Sequence, residues 1–354
     1  MKLGLTADLH LSDVKKHPER INALSDILKS MSESNVSTLI IAGDLFDMDT
    51  VDFAVFESLC SSHDDIEIHI IPGNHDSSLN PSDITIPTVH IHNEPEIIEL
   101  EDIKVLFLPY RQDIEPGKVI AELRDQLAHG RWILVSHCDY GNSNRATNPL
   151  EPGIYMPLSR RDIRSPEPLQ VFLGHIHKPI QYDKVRYIGS PCPMDISETG
   201  RRYFLIYDTA TDATEHVEVL NDVLYFNEKF LVTPGEDEAE KLKASVEARI
   251  KSWNLEPDEY QRVVIRICAI GYAINRKEIM ETLNKCLDSF HFYKDEGPDT
   301  SKLKVARDHQ LAAITERTRS LIESMNWNFG GNEPEIEEIV TRAMDVIHGE
   351  ETWK

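Results

Sequence analysis

Short apolar runs alternate with more polar stretches along roughly the first 210 residues of this chain of 354. Runs such as Thr38–Ala42 and residues 66–71 are rich in β-branched residues, which is typical of strands buried in a parallel sheet. The stretches 18–34 and 51–61 between them are predicted helices. The other predicted elements here are strands at 2–7, 97–100, 103–108, 132–135, 171–173, 186–188 and 203–208, and a helix at 119–129. The pattern predicts an α/β fold.

The pattern changes near Asn221, where strand, helix, strand and helix follow one another. These elements, at residues 225–232, 238–252, 262–269 and 276–287, predict a small α+β domain. A polar segment with Gly297 and Pro298 then has the composition of a linker. We therefore predict a large α/β domain over 1–220, a small α+β cap over 221–294, a linker over 295–301 and a C-terminal helical segment over 302–354.

Two helices separated by residues 328–332 are predicted within the C-terminal segment. The second has a clear apolar stripe at the helical period, formed by Ile336, Ile339, Val340, Ala343, Met344 and Ile347. The first has a narrower seam, formed by Leu311, Ile314, Leu321 and Met325. The stripes predict either a surface for a partner or the packing of the two helices on each other.

The charge balance is strongly acidic, with 61 Asp and Glu against 37 Lys and Arg and a formal net charge of −24. This argues against binding of nucleic acid by bulk attraction, because phosphate contacts need clustered cations. It is compatible with a nuclease whose positive charge is supplied locally by metal ions.

The five cysteines are scattered without paired spacing, as in a protein with reduced thiols. No apolar run approaches the roughly 20 residues that span a bilayer, and the first residues lack the apolar core of a signal peptide. We expect a cytoplasmic protein without membrane attachment.

Metal-competent side chains follow five predicted strands. They are Asp8 and His10, Asp44, Asn74 and His75, His137, and His175 and His177. Ligands of open α/β sheets bind beyond the carboxyl ends of the strands. Each group alone has an ordinary explanation as a turn, a cap or a core histidine. Their recurrence at five strand ends favours one metal site, and carboxylate, imidazole and amide oxygen together suit Mn, Fe or Zn.

The chemistry that these donors predict is two-metal hydrolysis of a phosphate ester. Two divalent ions about 3.5–4 Å apart can clamp a phosphoryl oxygen and lower the pKa of a water molecule to near 7. Asp44 is the natural bridging ligand, because one carboxylate offers two oxygens. His75, beside Asn74, is placed to act as an acid toward the leaving oxygen.

In chain order, these residues form Asp-x-His, Gly-Asp-x-x-Asp, Gly-Asn-His-Asp, a single His and Gly-His-x-His. The set resembles the calcineurin-like metallophosphoesterase superfamily over about residues 1–210. The resemblance implies a four-layered α/β/β/α domain with a dinuclear site and His75 as its catalytic, non-bridging histidine. It implies one metal on Asp8, His10, Asp44 and His177, and the other on Asp44, Asn74, His137 and His175.

A second stretch points to a substrate. Residues 173–179, 185–194 and 197–200 resemble the SbcD / meiotic recombination eleven nucleases, and the order of domains also fits. This resemblance implies Mn²⁺-dependent exonuclease and endonuclease action on DNA ends in double-strand-break repair. It also implies an SbcC-type coiled-coil, SMC-like ATPase as partner, gripped by the C-terminal stripes, and a homodimer built through the nuclease domains.

The residues that would contact DNA are not assigned by this resemblance, and the long irregular segment 139–168 carries no motif of the family. Cations do cluster from the last part of this segment to the final strands of the domain, at Arg160, Arg161, Arg164, Lys178, Lys184, Arg186, Arg201 and Arg202. Asp162, Asp183 and Glu198 dilute this cluster, so the patch is weakly basic.

Two other functions remain open. The first is hydrolysis of a small substrate such as a cyclic nucleotide, which the acidic balance favours but the cap and helical tail do not. The second is a non-catalytic scaffold for an ATPase, which would be indicated by loss of metal ligands. None of the expected ligands is lost.

Overall fold

The computed structural model describes residues 1–47, 53–141, 153–306, 310–327 and 335–349. Residues 51–52 of the predicted second helix, part of the segment 139–168 and the predicted break at 328–332 lie outside the described residues. The chain forms two compact units. The first comprises Met1–Pro193 and Arg201–Asp222, and the second comprises Met194–Gly200 and Val223–Lys354.

The first unit contains two six-stranded sheets. Its elements in chain order are β1 (Lys2–Thr6), α1 (Pro18–Glu33), β2 (Thr38–Ala42), α2 (Phe53–Ser61), β3 (Glu67–Ile71), β4 (Val89–Ile91), β5 (Glu96–Leu100), β6 (Ile103–Leu108), α3 (Pro116–Glu122), α4 (Arg124–Leu127), β7 (Trp132–His137), β8 (Val171–Gly174), β9 (Ile180–Tyr182), β10 (Val185–Tyr187), β11 (Arg202–Asp208) and β12 (Ala213–Val219). The strand orders are β12-β11-β1-β2-β3-β4 and β5-β6-β7-β8-β10-β9.

The two sheets pack face to face because each presents a continuous apolar face. Leu5 and Ile40 of the first sheet share one buried core with Phe107 and Ile133 of the second. Helix α1 buries its apolar side against the first sheet, where a side chain at Gly4 would meet the sulfur of Met31 at 2.7 Å. Helices α3 and α4 cover the outer face of the second sheet. The predicted α/β/β/α layering is therefore confirmed.

Several elements differ from the sequence-based expectation. The helix predicted at 119–129 is two short helices, α3 and α4, because the backbone leaves the helical region at Leu123. The strands β4, β9 and β12 were not predicted. They are short or exposed at the edges of the sheets, so they lack the apolar signal of a buried strand.

The described part of the second unit contains a parallel sheet and four helices. Its elements are β13 (Leu224–Val232), α5 (Glu238–Ser252), β14 (Val263–Ala273), α6 (Arg276–Cys286), β15 (His291–Phe292), β16 (Leu303–Val305), α7 (Gln310–Ser324) and α8 (Ile336–Ile347). Strand β14 pairs with β13, β15 and β16. Trp253 stacks on Phe226 with ring centroids 4.2 Å apart in the core of this unit.

The prediction of a linker at 295–301 is wrong. The N–H of Asp299 donates to the carbonyl of Ile267, and the N–H of Ala269 donates to the carbonyl of Asp299, both at 2.8 Å. This segment is therefore bonded along β14, and the turns made by Gly297 and Pro298 lie within one unit. Residues 194–200, which we placed in the first domain, group with the second unit.

The two C-terminal stripes have different surroundings. Val340 and Met344 of α8 are buried together with Ile322 of α7 and Tyr272 of β14, so most of the α8 stripe packs within its own unit. The seam of α7 is exposed instead. Ile314 and Leu321 of α7 and Met325, which directly follows the helix, are 53%, 58% and 56% exposed.

Among the described residues, no helix is both long enough and apolar enough to cross a membrane.

A histidine cluster lies at one edge of the interface between the two sheets. His69 of β3 and His92 share a hydrogen bond of 2.9 Å between Nδ1 and Nε2, and His92 Nδ1 bonds Glu96 Oε1 at 2.6 Å. The ring of His92 stacks on Phe107 of the second sheet. Burial, aided by the nearby His92 and His90, lowers the pKa of His69 to about 3. The folded chain therefore keeps His69 neutral.

We expect the His69→Phe variant to lose less stability than the wild type as pH falls from about 6.5 to 4.5. Below its ordinary pKa of 6.5, the unfolded chain binds a proton that folded His69 refuses, so the wild type is destabilised by up to roughly 1.4 kcal/mol per pH unit. Chemical denaturation in EDTA measures the free energy of unfolding at each pH. His129→Phe, at an exposed histidine, is the control; parallel pH profiles for wild type and His69→Phe would contradict the assignment.

Candidate metal centre

The segments that follow β1 and β2 run side by side beyond the end of the first sheet. The N–H of Asp8 donates to the carbonyl of Gly43 at 3.0 Å, and the N–H of His10 donates to the carbonyl of Asp44 at 2.9 Å. The turn after β3 joins them, because the N–H of His75 donates to Asp44 Oδ1 at 2.8 Å. Backbone hydrogen bonding thus brings the polar ends of three neighbouring strands together.

Four of the predicted site residues have a left-handed backbone. The φ angles are 54° at Asp8, 47° at His10, 51° at Asp44 and 84° at His175. Non-glycine residues rarely adopt this conformation, and each instance costs on the order of 1–3 kcal/mol. Such conformations concentrate at functional sites, where the surrounding structure enforces them. Here each one turns a donor side chain out of the path of its strand.

Two glycines allow the close approach of these segments. A side chain at Gly73 would place its Cβ 2.1 Å from Asp44 Oδ1. A side chain at Gly174 would place its Cβ 2.0 Å from the carbonyl oxygen of Ala42 and 2.7 Å from His137 Nδ1. The glycines of the sequence motifs are therefore needed for packing between the strand ends.

One group of donors combines Asp8, His10 and His177, whose candidate ligand atoms all lie within 4.8 Å of one another. His10 Nε2 is 3.1 Å from His177 Nε2 and 3.7 Å from Asp44 Oδ2. These are the four residues that the family resemblance assigns to one metal, and the structure brings them together.

A second group combines Asp8, Asp44 and His137, and the candidate ligand atoms of His10, Asp44 and His75 also lie within this distance of one another. Asp44 Oδ2 lies 3.3 Å from His137 Nε2. Asn74 Oδ1 lies 2.9 Å from His137 Nε2 and 3.1 Å from His175 Nδ1. The four residues assigned to the other metal therefore also meet, and Asp44 contacts both groups.

The ring of His137 is held in one orientation from outside the site. Its Nδ1 lies 3.0 Å from the carbonyl oxygen of Ala42, which can only accept a hydrogen bond. The other nitrogen, Nε2, is thereby directed at Asp44 and Asn74, where its lone pair can bind a metal once the ring has lost its second proton. A backbone carbonyl commonly fixes metal-binding histidines in this way.

The electrostatics of Asp8 fit a bound cation. Asp8 is fully buried, and its Oδ2 has no hydrogen-bond partner among the described residues. Burial raises the pKa of Asp8 to about 6 in spite of the nearby His137 and His177. The N–H of His175 donates to Asp8 Oδ1 at 2.9 Å, but a buried carboxylate oxygen without a hydrogen bond is costly when the group is ionised. A divalent ion on the surrounding oxygen and imidazole donors would supply the missing interaction.

His10 and His137 differ in charge when no metal is bound. Burial lowers the pKa of His10 to about 3, so this ring is neutral and ready to act as a ligand. Burial also opposes the charge of His137, but the carboxylates of Asp44 and Asp8 outweigh it and raise its pKa to about 10. In return, His137 holds the pKa of Asp44 below its usual range despite burial. A proton on His137 therefore balances the carboxylates until a metal replaces it.

His75 lies at the more accessible side of the centre. Its ring centroid is 4.6 Å from that of His10, and its side chain is 28% exposed. Its Nδ1 lies 3.4 Å from Asp47 Oδ1, and Asp47 Oδ2 lies 3.4 Å from Arg20 Nη1. The carboxylate of Asp47 thus orients the ring from behind, and Arg20 anchors that carboxylate.

Three supporting carboxylates were not singled out from the sequence: Asp47, Asp76 and Asp139. Asp76 accepts hydrogen bonds from the N–H of Gly73 at 2.6 Å and of Phe46 at 3.1 Å, which ties two strand ends together. Asp47 and Asp76 are the last residues of the Gly-Asp-x-x-Asp and Gly-Asn-His-Asp motifs, so their positions in these motifs could have indicated a supporting role.

Asp139 supports the centre from the other sheet. Its Oδ1 lies 3.8 Å from His175 Nε2, and its Oδ2 accepts a hydrogen bond of 2.8 Å from the N–H of Tyr155. The ring of Tyr155 is 4.8 Å from that of His175. Only the fold reveals this role, because nothing marks Asp139 in the sequence except its place two residues after His137.

We expect Asp44→Ala to lose both metal ions and His10→Ala to weaken mainly one. Asp44 contacts both groups of donors, whereas His10 contacts the group with Asp8 and His177. Elemental analysis after dialysis against Mn²⁺ measures the metal bound per chain. Asp125→Ala, at an exposed carboxylate of the same unit, is the control. Equal losses in Asp44→Ala and His10→Ala would rule out Asp44 as the shared ligand.

Comparison with known proteins finds relatives of this chain. Enterobacteria phage T4 "Exonuclease subunit 1" is 25% identical over 243 residues, which cover 61% of this chain and 67% of that protein. Two solved structures are similar over 62% of this chain: a novel archaeal phosphodiesterase, covered completely at 16% identity and a TM-score of 0.33, and a dimetal phosphatase from Danio rerio, covered to 96% at 11% identity and a TM-score of 0.42. The calcineurin-like phosphoesterase family matches residues 1–210, more than half of the chain. The chain therefore belongs to the calcineurin-like phosphoesterase family of metal-dependent hydrolases.

Proposed function

We propose that this protein is a Mn²⁺-dependent DNA nuclease that hydrolyses phosphodiester bonds at DNA ends. The observation that carries the proposal is the complete donor set around Asp44 in a chain related to a phage protein named as an exonuclease subunit. The stretch at residues 185–200, which resembles the SbcD / meiotic recombination eleven nucleases, points to the same substrate and to double-strand-break repair.

The residues of the centre have separable roles in such a reaction. Divalent ions at these donors supply charge that polarises a phosphoryl oxygen and lowers the pKa of a water molecule. Asp8, Asp44 and His137 fix that charge in a buried place, where electrostatic stabilisation is strong. His75 faces the accessible side and can hand a proton to the leaving oxygen. Asp47 keeps the ring of His75 in position for that proton transfer.

The competing function is hydrolysis of small phosphodiesters. The net charge of −24 favours it, because a polyanionic substrate is repelled by most of the surface. An assay with two substrates separates the functions. We expect the purified protein with Mn²⁺ to shorten end-labelled DNA as well as to cleave bis-p-nitrophenyl phosphate. Cleavage of the small substrate without any action on DNA, even in the presence of an SbcC-type ATPase, would contradict the proposal of a nuclease.

We expect His75→Leu to keep its metal ions and to lose turnover by about 100-fold or more, the usual contribution of a general acid. Asp47→Asn should reduce turnover less, because it disturbs only the orientation of the ring. Rates on bis-p-nitrophenyl phosphate and metal content by elemental analysis are measured on the same samples. A parallel fall of metal content and activity in His75→Leu would assign His75 to metal binding instead.

We further propose that the protein acts with an SbcC-type coiled-coil ATPase, and that the exposed seam of α7 contacts it. The name of the phage relative, a subunit, supports action with another chain. Ile314, Leu321 and Met325 repeat at intervals of seven and four residues, which suits packing against a coiled coil. The α8 stripe is less suited to that role, because Val340 and Met344 pack with Tyr272 and Ile322. A homodimer through the nuclease units stays a prediction.

The double variant Ile314→Glu/Leu321→Glu should abolish co-purification with the ATPase and leave hydrolysis of bis-p-nitrophenyl phosphate unchanged. Point substitutions are preferable to removal of residues 302–354, because removal would take β16 from its place beside β14 and uncover Tyr272. Ser320→Glu, on another exposed side of α7, is the control. Undiminished co-purification of the double variant would place the contact elsewhere. Absence of hydrolysis in the wild type at any Mn²⁺ concentration would favour a non-catalytic scaffold.

A further inference from the structure

We infer that a cleft on the outer face of the second sheet binds single-stranded DNA, an inference that rests on the proposed nuclease function. The cleft has a volume of about 840 Å³. Its ionic and aromatic lining consists of Tyr140, Tyr182, Arg160, Arg161, Arg164 and Lys184, with Glu167 and Asp183. None of these residues belongs to the metal centre.

The cleft is connected to the metal centre through the strands of the second sheet. Tyr140 stands three residues after His137, and its N–H donates to Tyr187 Oη at 2.7 Å. At the other end, Val185 pairs with Val171, the first residue of β8, whereas the metal centre begins just after the last residue of that strand. The cleft therefore extends roughly 10 Å away from the centre along β8.

Two tyrosines provide faces for stacking. The ring centroids of Tyr140 and Tyr182 are 6.3 Å apart, with an angle of 40° between the planes. Tyr182 lies at the end of edge strand β9 and is 50% exposed, so part of its ring surface is accessible to a ligand. Proteins that bind single strands place bases on such aromatic faces beside a positively charged groove.

The charge of the cleft is opposite to that of the chain. Arg160, Arg161 and Arg164 form no ion pair with a carboxylate of the described residues. Lys184 is paired with Glu167 at 2.9 Å, which leaves Asp183 as the remaining carboxylate. A net excess of cations in a chain of charge −24 marks this cleft as a place where phosphates can bind.

The combination favours a single strand over a duplex or a free nucleotide. Duplex DNA keeps its bases stacked on one another, so the faces of Tyr140 and Tyr182 would gain nothing from it. A free nucleotide carries one phosphate group, whereas three guanidinium groups without an ion pair among the described residues line the cleft. A strand that enters the metal centre and continues over Tyr140 would use both the aromatic faces and the cations.

Fluorescence anisotropy with labelled oligo(dT) in EDTA measures binding without cleavage. We expect Tyr182→Ala to weaken binding about tenfold, within the range for loss of one stacked base, and Tyr182→Phe to bind like the wild type. Arg160→Ala/Arg161→Ala should lower the slope of log affinity against log salt by about 1.4. Tyr260→Ala and Lys277→Ala/Lys285→Ala, at exposed positions of the second unit, are the controls. Hydrolysis of bis-p-nitrophenyl phosphate with Mn²⁺ should be the same in all variants, which also reports that they fold.

The outcomes separate the two proposals. Wild-type cleavage of DNA together with unchanged oligo(dT) affinity in Tyr182→Ala and in the double arginine variant would overturn the cleft and leave the nuclease intact. Duplex binding as tight as oligo(dT) binding, or full competition by thymidine monophosphate at equal nucleotide concentration, would overturn the assignment to a single strand. Hydrolysis of bis-p-nitrophenyl phosphate by a wild type that neither binds nor cleaves DNA would overturn the nuclease, and the cleft with it.

Discussion

The carboxylate of Asp44 holds the active end of this molecule together. Asp44 Oδ1 accepts a hydrogen bond from the N–H of His75, and Asp44 Oδ2 faces His137. The backbone carbonyl of the same residue accepts a hydrogen bond from the N–H of His10. Three strand ends of one sheet and one of the other thus meet at a single side chain. The left-handed backbone at Asp44 is the strained conformation that permits this, and Gly73 leaves the room for it. Catalytic geometry and packing of the two sheets therefore depend on the same residue.

Burial gives the centre its need for cations. Asp8 and Asp44 are almost completely enclosed, and without metal their charge is balanced by a proton on His137. Metal ions and that proton compete for the same donors, so metal binding is coupled to proton release. The outer carboxylates Asp47, Asp76 and Asp139 position ligands and strand ends from behind, as the second layer of metal sites commonly does.

The proposed action on DNA requires local sources of positive charge in this acidic chain. The metal centre is one such source, and the cleft beside Tyr140 and Tyr182 is the other that we propose. Confining cations to these two places would limit binding to strands that reach the centre, because the rest of the surface repels phosphates. The exposed seam of α7 provides a different kind of contact, apolar and suited to a protein partner.

The sequence by itself determined the buried strands and the ligand types, because both depend on local composition. Thr38–Ala42 is buried throughout and mostly apolar, and the candidate ligands follow such runs within a few residues. Only the tertiary structure decided the features that local composition does not encode. The role of Asp139, the bonding of Asp299 along β14, and the different exposure of the α7 and α8 stripes all depend on contacts between residues far apart in the chain. Asp44 illustrates the difference. Its place after a strand could be predicted from the sequence, but its three contacts exist only because strands from two sheets end at one point.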